Sequence, residues 1–158
     1  MTTEIRVGTT INASPETTWS AIEQIDTHVS WMADADSITF LTRQRSGVGT
    51  RFNCHTRIGP IHIVDAMSIT EWVPCSAMGV EHRGVVRGSG VFTLREVGDR
   101  RTRFSWGERL TFPWWLGGAV GERVAGPLLT RIWRGNLARL RHIVEGSREP
   151  SGFNRRSG

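Results

Sequence analysis

The segment AVGERVAGPLLTRIWRGNLARLRHIVE, from Ala119 to Glu145, decides the fold of this 158-residue chain. At about 100° per residue, Ala125, Leu129, Ile132, Trp133, Leu140, Ile143 and Val144 share one side of a helical wheel. Arg123, Arg131, Arg134 and Arg141 share the other. The pattern predicts one long helix with a buried face. Asn136 stands near the centre of the apolar arc. Burying an amide costs about 1–3 kcal/mol unless it is hydrogen-bonded. The helix is therefore expected to cover something other than pure hydrocarbon, as the lid of a cavity would.

Working back from that helix, the chain from Ser37 to Thr111 reads as strand after strand. Ile38–Gln44, Gly49–Ile58, Ile61–Trp72, Ala77–Arg83, Val86–Val97 and Thr102–Thr111 alternate in polarity between turn signals such as Gly59-Pro60 and Gly98-Asp99. None of the intervals could hold a crossover helix, so the sheet is expected to be antiparallel. Ahead of them, Glu4–Asn12 alternates as a further strand, and Ser14-Pro15-Glu16 starts a short helix with Trp19, Ile22 and Ile25 on its apolar side. His28–Met32 reads as a second helical turn. The predicted order is β-α-α-β6-α, an α+β fold. One long helix and one sheet bury each other only if the sheet curls, and a curled sheet leaves room for a cavity.

Composition narrows the functions. Residues 1–146 are expected to form one domain and 147–158 a disordered tail, since Arg148 through Arg156 carry charge without apolar periodicity. All 20 basic residues are arginine, which lifts the isoelectric point, yet the net charge of +5 demands no acidic partner. The arginine face of the last helix lacks interleaved aromatics, so it reads as solvated and no nucleic acid is expected. Cys54 and Cys75 suggest neither a metal site nor a disulfide framework. The start lacks the apolar core of a signal peptide, and the apolar run near Phe112–Val120 is too short to span a bilayer. A cytoplasmic protein is expected, with monomer and homodimer both open.

Strand parity proposes which polar groups point inward. Glu108 shares a face with Phe104, Trp106 and Leu110, either as a cavity carboxyl for acid–base work or as the partner of a nearby arginine. His82 alternates with Met78 and Val80, as a neutral base or shuttle or as a satisfied core residue. His55 and His62 have solvent parity, while His28 and His142 are expected on helix surfaces. Phe52 and Cys54 share one face of the third strand, with Cys54 reading as a small buried hydrophobe. Asp65 and Met67 share a face of the fourth, where Asp65 either points inward or is turned out by a β-bulge. Glu108 and His82 are thus the candidate catalytic residues. Trp106, Asn136, Asp65, Met67, Met78, Phe92, Phe52, Cys54 and Ile132 are the candidate ligand contacts. Trp114-Trp115, in a glycine-flanked loop, reads as a packed plug, with a gate or membrane contact as the alternative.

Four stretches carry a family resemblance: Ala13-Ser14-Pro15-Glu16-Thr17-Thr18-Trp19, Gly47-Val48-Gly49-Thr50-Arg51-Phe52, Thr70-Glu71-Trp72-Val73-Pro74 and Asn136-Leu137-Ala138-Arg139-Leu140. In this order they resemble the START-like, or SRPBCC, superfamily, and within it the polyketide cyclase/dehydrase and lipid-transport branch. The resemblance implies a helix-grip fold and, because its motifs are structural, transfers no catalytic residue. The resemblance is not specific for function, but the polar residues embedded in two facing apolar surfaces predict a cavity for a hydrophobic, oxygen-bearing small molecule such as a polyketide, lipid or isoprenoid-like compound, with no cofactor or metal expected. The alternative it implies is a cofactor-independent cyclase/dehydrase. The oxygenase members need a two-histidine-plus-carboxylate set or an iron–sulfur cluster, and the sequence has neither pattern.

Overall fold

In a computed structural model, which describes residues 2–147, seven antiparallel strands curl around one long helix. The chain runs β1 (Thr2–Ile11), α1 (Pro15–Ile22), a 3-10 turn (Ile25–Ser30), β2 (Ala35–Phe40), β3 (Arg51–Ile58), β4 (Ile61–Val73), β5 (Ala77–Arg83), β6 (Arg87–Glu96), β7 (Thr102–Thr111), a short turn at Trp114–Leu116 and α2 (Gly118–Gly146). The strand order is β1-β7-β6-β5-β4-β3-β2, so only the β1–β7 pairing joins strands distant in sequence. The predicted helix-grip class is the observed one. The tail from 148 onward lies outside the described residues.

The local rules act as expected at α1. Ser14 is extended, its hydroxyl accepts from Thr17 N–H at 3.2 Å, and Pro15 occupies the first turn, where its missing N–H has no bond to lose. Trp19 and Ile22 are buried, and Trp19 meets Trp72 edge-on at 5.2 Å. That contact requires Trp72 to face inward, although strand parity from Ile69 would turn it out. A bulge between Ile69 and Glu71 restores it. The bulge considered at Asp65 thus lies further along β4, and Asp65 keeps its inward direction.

The second strand is the least accurate expectation. It spans Ala35–Phe40, earlier than the predicted Ile38–Gln44. The reason is local: Gln44 donates to the carbonyls of Ser46 and Val48, and Thr42 to that of Gln44, so these residues fold into a side-chain-tied loop.

The buried residues of α2 all come after Pro127: Leu129, Trp133, Asn136, Leu137, Leu140 and Val144. They press on the inward faces of β1 and β7, where Ile5, Val7, Ile11, Phe104, Trp106 and Leu110 are buried. Ala125 and Ile132 are only half-buried, and Ile143, predicted to face the core, is exposed. Ahead of Pro127 the helix extends beyond the core, leaving Val120 and Val124 in solvent.

Candidate functional site

A cavity of about 160 Å³ lies between the sheet and the second half of α2. A cavity of about 150 Å³ holds a benzene ring, so this one has room for a ring-sized group. Its floor comes from inward positions of β3 to β7, among them Phe52, Cys54, Met67, Met78, Phe92 and Trp106. Leu129 and Trp133 of α2 roof it. Trp133 stacks on Trp106, with centroids 4.3 Å apart, and Phe92 meets Trp106 edge-on at 5.3 Å. The walls are therefore mostly apolar, aliphatic and aromatic, with methionines whose flexible chains can adapt to a guest.

A row of three ionisable side chains interrupts this lining. His82 of β5 sits between two carboxylates, Asp65 of β4 and Glu108 of β7. Its Nδ1 lies 2.8 Å from Asp65 Oδ2, and its Nε2 lies 3.1 Å from Glu108 Oε2. The side chains of His82, Asp65 and Glu108 are only 9%, 8% and 6% exposed. The outer oxygens are also engaged: Asp65 Oδ1 accepts from Val86 N–H at 3.2 Å, and Glu108 Oε1 accepts from the Trp106 indole at 2.9 Å. The contact between His82 Nε2 and Glu108 Oε2 is close but lacks hydrogen-bond alignment, and neither atom has another partner. Both residues line the cavity.

The electrostatics follow from this row. Burial alone would lower the His82 pKa, but the hydrogen bond to Asp65 and the close approach of both Asp65 and Glu108 outweigh it and raise the pKa to about 10. His82 is therefore an imidazolium at neutral pH, not the neutral base that its apolar face suggested. Such a group donates two N–H bonds and serves first as an acid. Cys54 is the opposite case: burial pushes its thiol up to about 11, which leaves it protonated and without nucleophilic character.

His28 was expected on a helix surface and is instead buried at the opposite wall. The 3-10 turn points its ring inward, where Nε2–H donates to the Ile22 carbonyl at 2.7 Å and the ring packs on Trp31 and Phe92. Burial lowers its pKa to about 4, so it stays neutral. A single short turn carries no period by which its inward face could be read. Thr56, on the same face of β3 as Phe52 and Cys54, also lines the cavity, as do Asp34 and Val86, which strand parity does not single out.

The remaining candidates fall elsewhere. Asn136 is fully buried but does not line the cavity. Its carbonyl oxygen accepts from Ala33 N–H at 3.0 Å and from Arg139, while its amide donates to Asp34 Oδ1 at 2.7 Å. The misplaced amide thus pins the segment after the 3-10 turn to α2. Ile132 packs at the edge of the core and does not line the cavity. Trp114 and Trp115 are 83% and 56% exposed, so they form no plug.

Comparison with known proteins agrees with the geometry. Residues 2–145 match the family described as polyketide cyclase / dehydrase and lipid transport. The chain belongs to that family. No curated protein matches it. Among solved structures, the TTHA0849 protein from Thermus thermophilus superposes with a TM-score of 0.80 at 16% identity, covering 92% of this chain and 99% of its own. The ZhuI aromatase/cyclase from a Streptomyces species gives 0.80 at 10% identity, over 96% of this chain and 99% of its own. DR_A0006 from Deinococcus radiodurans gives 0.69 at 15%, over 92% and 98%. At such identities these likenesses establish the shared fold. Among the described residues, no helix is long and apolar enough to cross a membrane.

Proposed function

We propose that this chain holds a hydrophobic small molecule bearing a hydroxyl or enol oxygen, seated between Asp65–His82–Glu108 and the aromatic walls. The supporting observation is the close His82 Nε2–Glu108 Oε2 contact, 3.1 Å and without hydrogen-bond alignment, between two residues that line a ring-sized, mostly apolar cavity. A hydroxyl set beside the pair, at hydrogen-bonding distance from each atom, accepts from the imidazolium and donates to the carboxylate. Two carboxylates against one imidazolium also oppose an anionic guest. A charge-assisted hydrogen bond contributes about 1.5–3 kcal/mol, so p-cresol should bind at least tenfold more tightly than toluene. NMR titration of the purified protein with both compounds measures this. Equal affinities would overturn the reading.

The same pair supports a second reading, a cofactor-independent cyclase/dehydrase. The cavity folds a chain of β-carbonyls so that a carbon nucleophile meets its carbonyl, an entropic advantage. Glu108 Oε2 removes the proton from the nucleophilic carbon as the carbon–carbon bond forms, and His82 Nε2–H protonates the aldol oxygen. For the dehydration, an imidazolium reset by proton passage from the Glu108 carboxyl across the 3.1 Å gap protonates the departing hydroxyl. Glu108, again a carboxylate, takes the second carbon proton, and water leaves. Asp65 orients the ring throughout. Product analysis with a poly-β-ketothioester decides it. Turnover that survives both Glu108→Gln and His82→Ala removes these assignments.

For partners, the exposed Trp114 and Trp115, continued along α2 by Val120, Val124 and Leu128, support transient contact with a lipid surface. Cosedimentation with vesicles should weaken severalfold in Trp114→Ala/Trp115→Ala. Unchanged or absent cosedimentation of the wild-type chain counts against it.

A further inference from the structure

His82 and Glu108 belong to strands that do not pair, because β6 runs between β5 and β7. Adjacent strands lie about 4.8 Å apart, so an inward side chain on β6 would stand between them. The β6 residues registered with them are both glycine: Gly88 opposite His82 and Gly90 opposite Glu108. The inward side chains of β6 resume at Phe92. The imidazole and the carboxylate therefore meet across bare backbone.

Gly90 is the closer fit of the two. A Cβ there would lie 2.7 Å from Glu108 Cγ and 2.9 Å from both its Cδ and its Oε1. The obstructed atoms include the root of the side chain, so Glu108 could not yield by moving its tip alone. Gly90 does not have the positive φ seen at Gly88, so its backbone accepts alanine. At Gly88 a Cβ would collide with the Arg109 carbonyl at 1.9 Å, which makes that position a test of backbone and not of the site.

We propose that Gly90 is a positioning residue: its missing side chain seats the Glu108 carboxylate against His82 Nε2 and the Trp106 indole. This deepens the proposed ligand site, since the seat determines whether a ligand oxygen finds donor and acceptor together. It is tested on the free protein, so a failure to bind the aromatic probes leaves it standing.

The experiment follows the His82 and His28 rings by NMR through a pH titration of wild type and Gly90→Ala. The His82 midpoint should move down from about 10 as Glu108 withdraws, the Trp106 indole proton should shift, and the His28 midpoint should stay in place. A stability comparison guards against a merely structural effect. Measured against Glu108→Ala alone, adding Gly90→Ala should cost no further melting temperature, because the obstructed side chain is gone. An unmoved His82 midpoint in folded Gly90→Ala overturns the proposal. So does a double variant that melts below Glu108→Ala by as much as Gly90→Ala melts below wild type.

Discussion

Two histidines line one cavity from opposite walls and are held in opposite charge states. His82, on the sheet, is raised to about 10, while His28, on the helical side, is lowered to about 4. Both are removed from water, so burial alone does not explain the difference. His28 has a carbonyl and aromatic rings for neighbours, and desolvation prevails. His82 has a carboxylate on each side, and their charge, with the hydrogen bond to Asp65, prevails. The cavity is thus lined by one neutral histidine and one charged one. A guest with an apolar body and a single polar end matches both.

The hardest test of this contrast removes a carboxylate. Asp65→Ala leaves a buried imidazolium short of one partner and strands the Val86 N–H. Breaking a buried pair from one side costs about 3–5 kcal/mol, and urea unfolding at pH 7 should register a loss of that order. His28→Ala removes one hydrogen bond and ring packing, for a loss of about 2–4 kcal/mol. If Asp65→Ala proves the milder substitution, the ionised wall is not what the geometry implies.

The pH dependence separates the walls without mutation. For His82 the folded pKa exceeds the unfolded value near 6.5, so its contribution is complete below about pH 6.5 and is lost as pH rises toward 10. For His28 the folded pKa is the lower one. There the unfolded state takes up the proton first, and stability falls as pH drops from 6.5 toward 4. Each limb has a limiting slope of about 1.4 kcal/mol per pH unit. Stability measured against pH should peak near 6.5 from these two groups, with the alkaline limb flattened in His82→Gln and the acid limb in His28→Gln. Flattening of the wrong limb reverses the assignments.

How much of this was legible in the chain depends on the kind of pattern involved. Strand alternation fixes which face a residue takes, so Glu108, His82, Trp106, Met78 and Phe92 could be aimed inward from sequence. Register is invisible to alternation, however. That His82 falls between Asp65 and Glu108 follows only from the β4–β5, β5–β6 and β6–β7 pairings together. The sequence reading accordingly held two acids and a histidine as separate candidates. The charge of His82 depends on that meeting, which is why its neutral form was the natural expectation. His28 was misplaced because a six-residue 3-10 turn has no amphipathic period to read. Asn136 shows a third kind of outcome. A buried amide must find partners, and the expectation of a lid over a cavity followed from that. The lid exists, yet the partners are Ala33, Asp34 and Arg139.

That reassignment yields the smallest and most selective effect. Asn136 and Arg139 hold the chain from Trp31 to Asp34, directly after the turn that carries His28. The strands bearing His82 and its carboxylates are tied instead by their own ladders. Asn136→Ala removes the clamp and leaves Asp34 and the Ala33 N–H without it, a loss of about 1–3 kcal/mol. Its consequence should be one-sided. Water gains access to the helical wall, so the His28 midpoint rises toward its ordinary value while the His82 midpoint stays near 10. Preference for p-cresol over toluene should survive, because no ligand contact is removed. A His82 midpoint that moves as far as that of His28 would mean that the walls are one cooperative unit, and the contrast between them would then be electrostatic only.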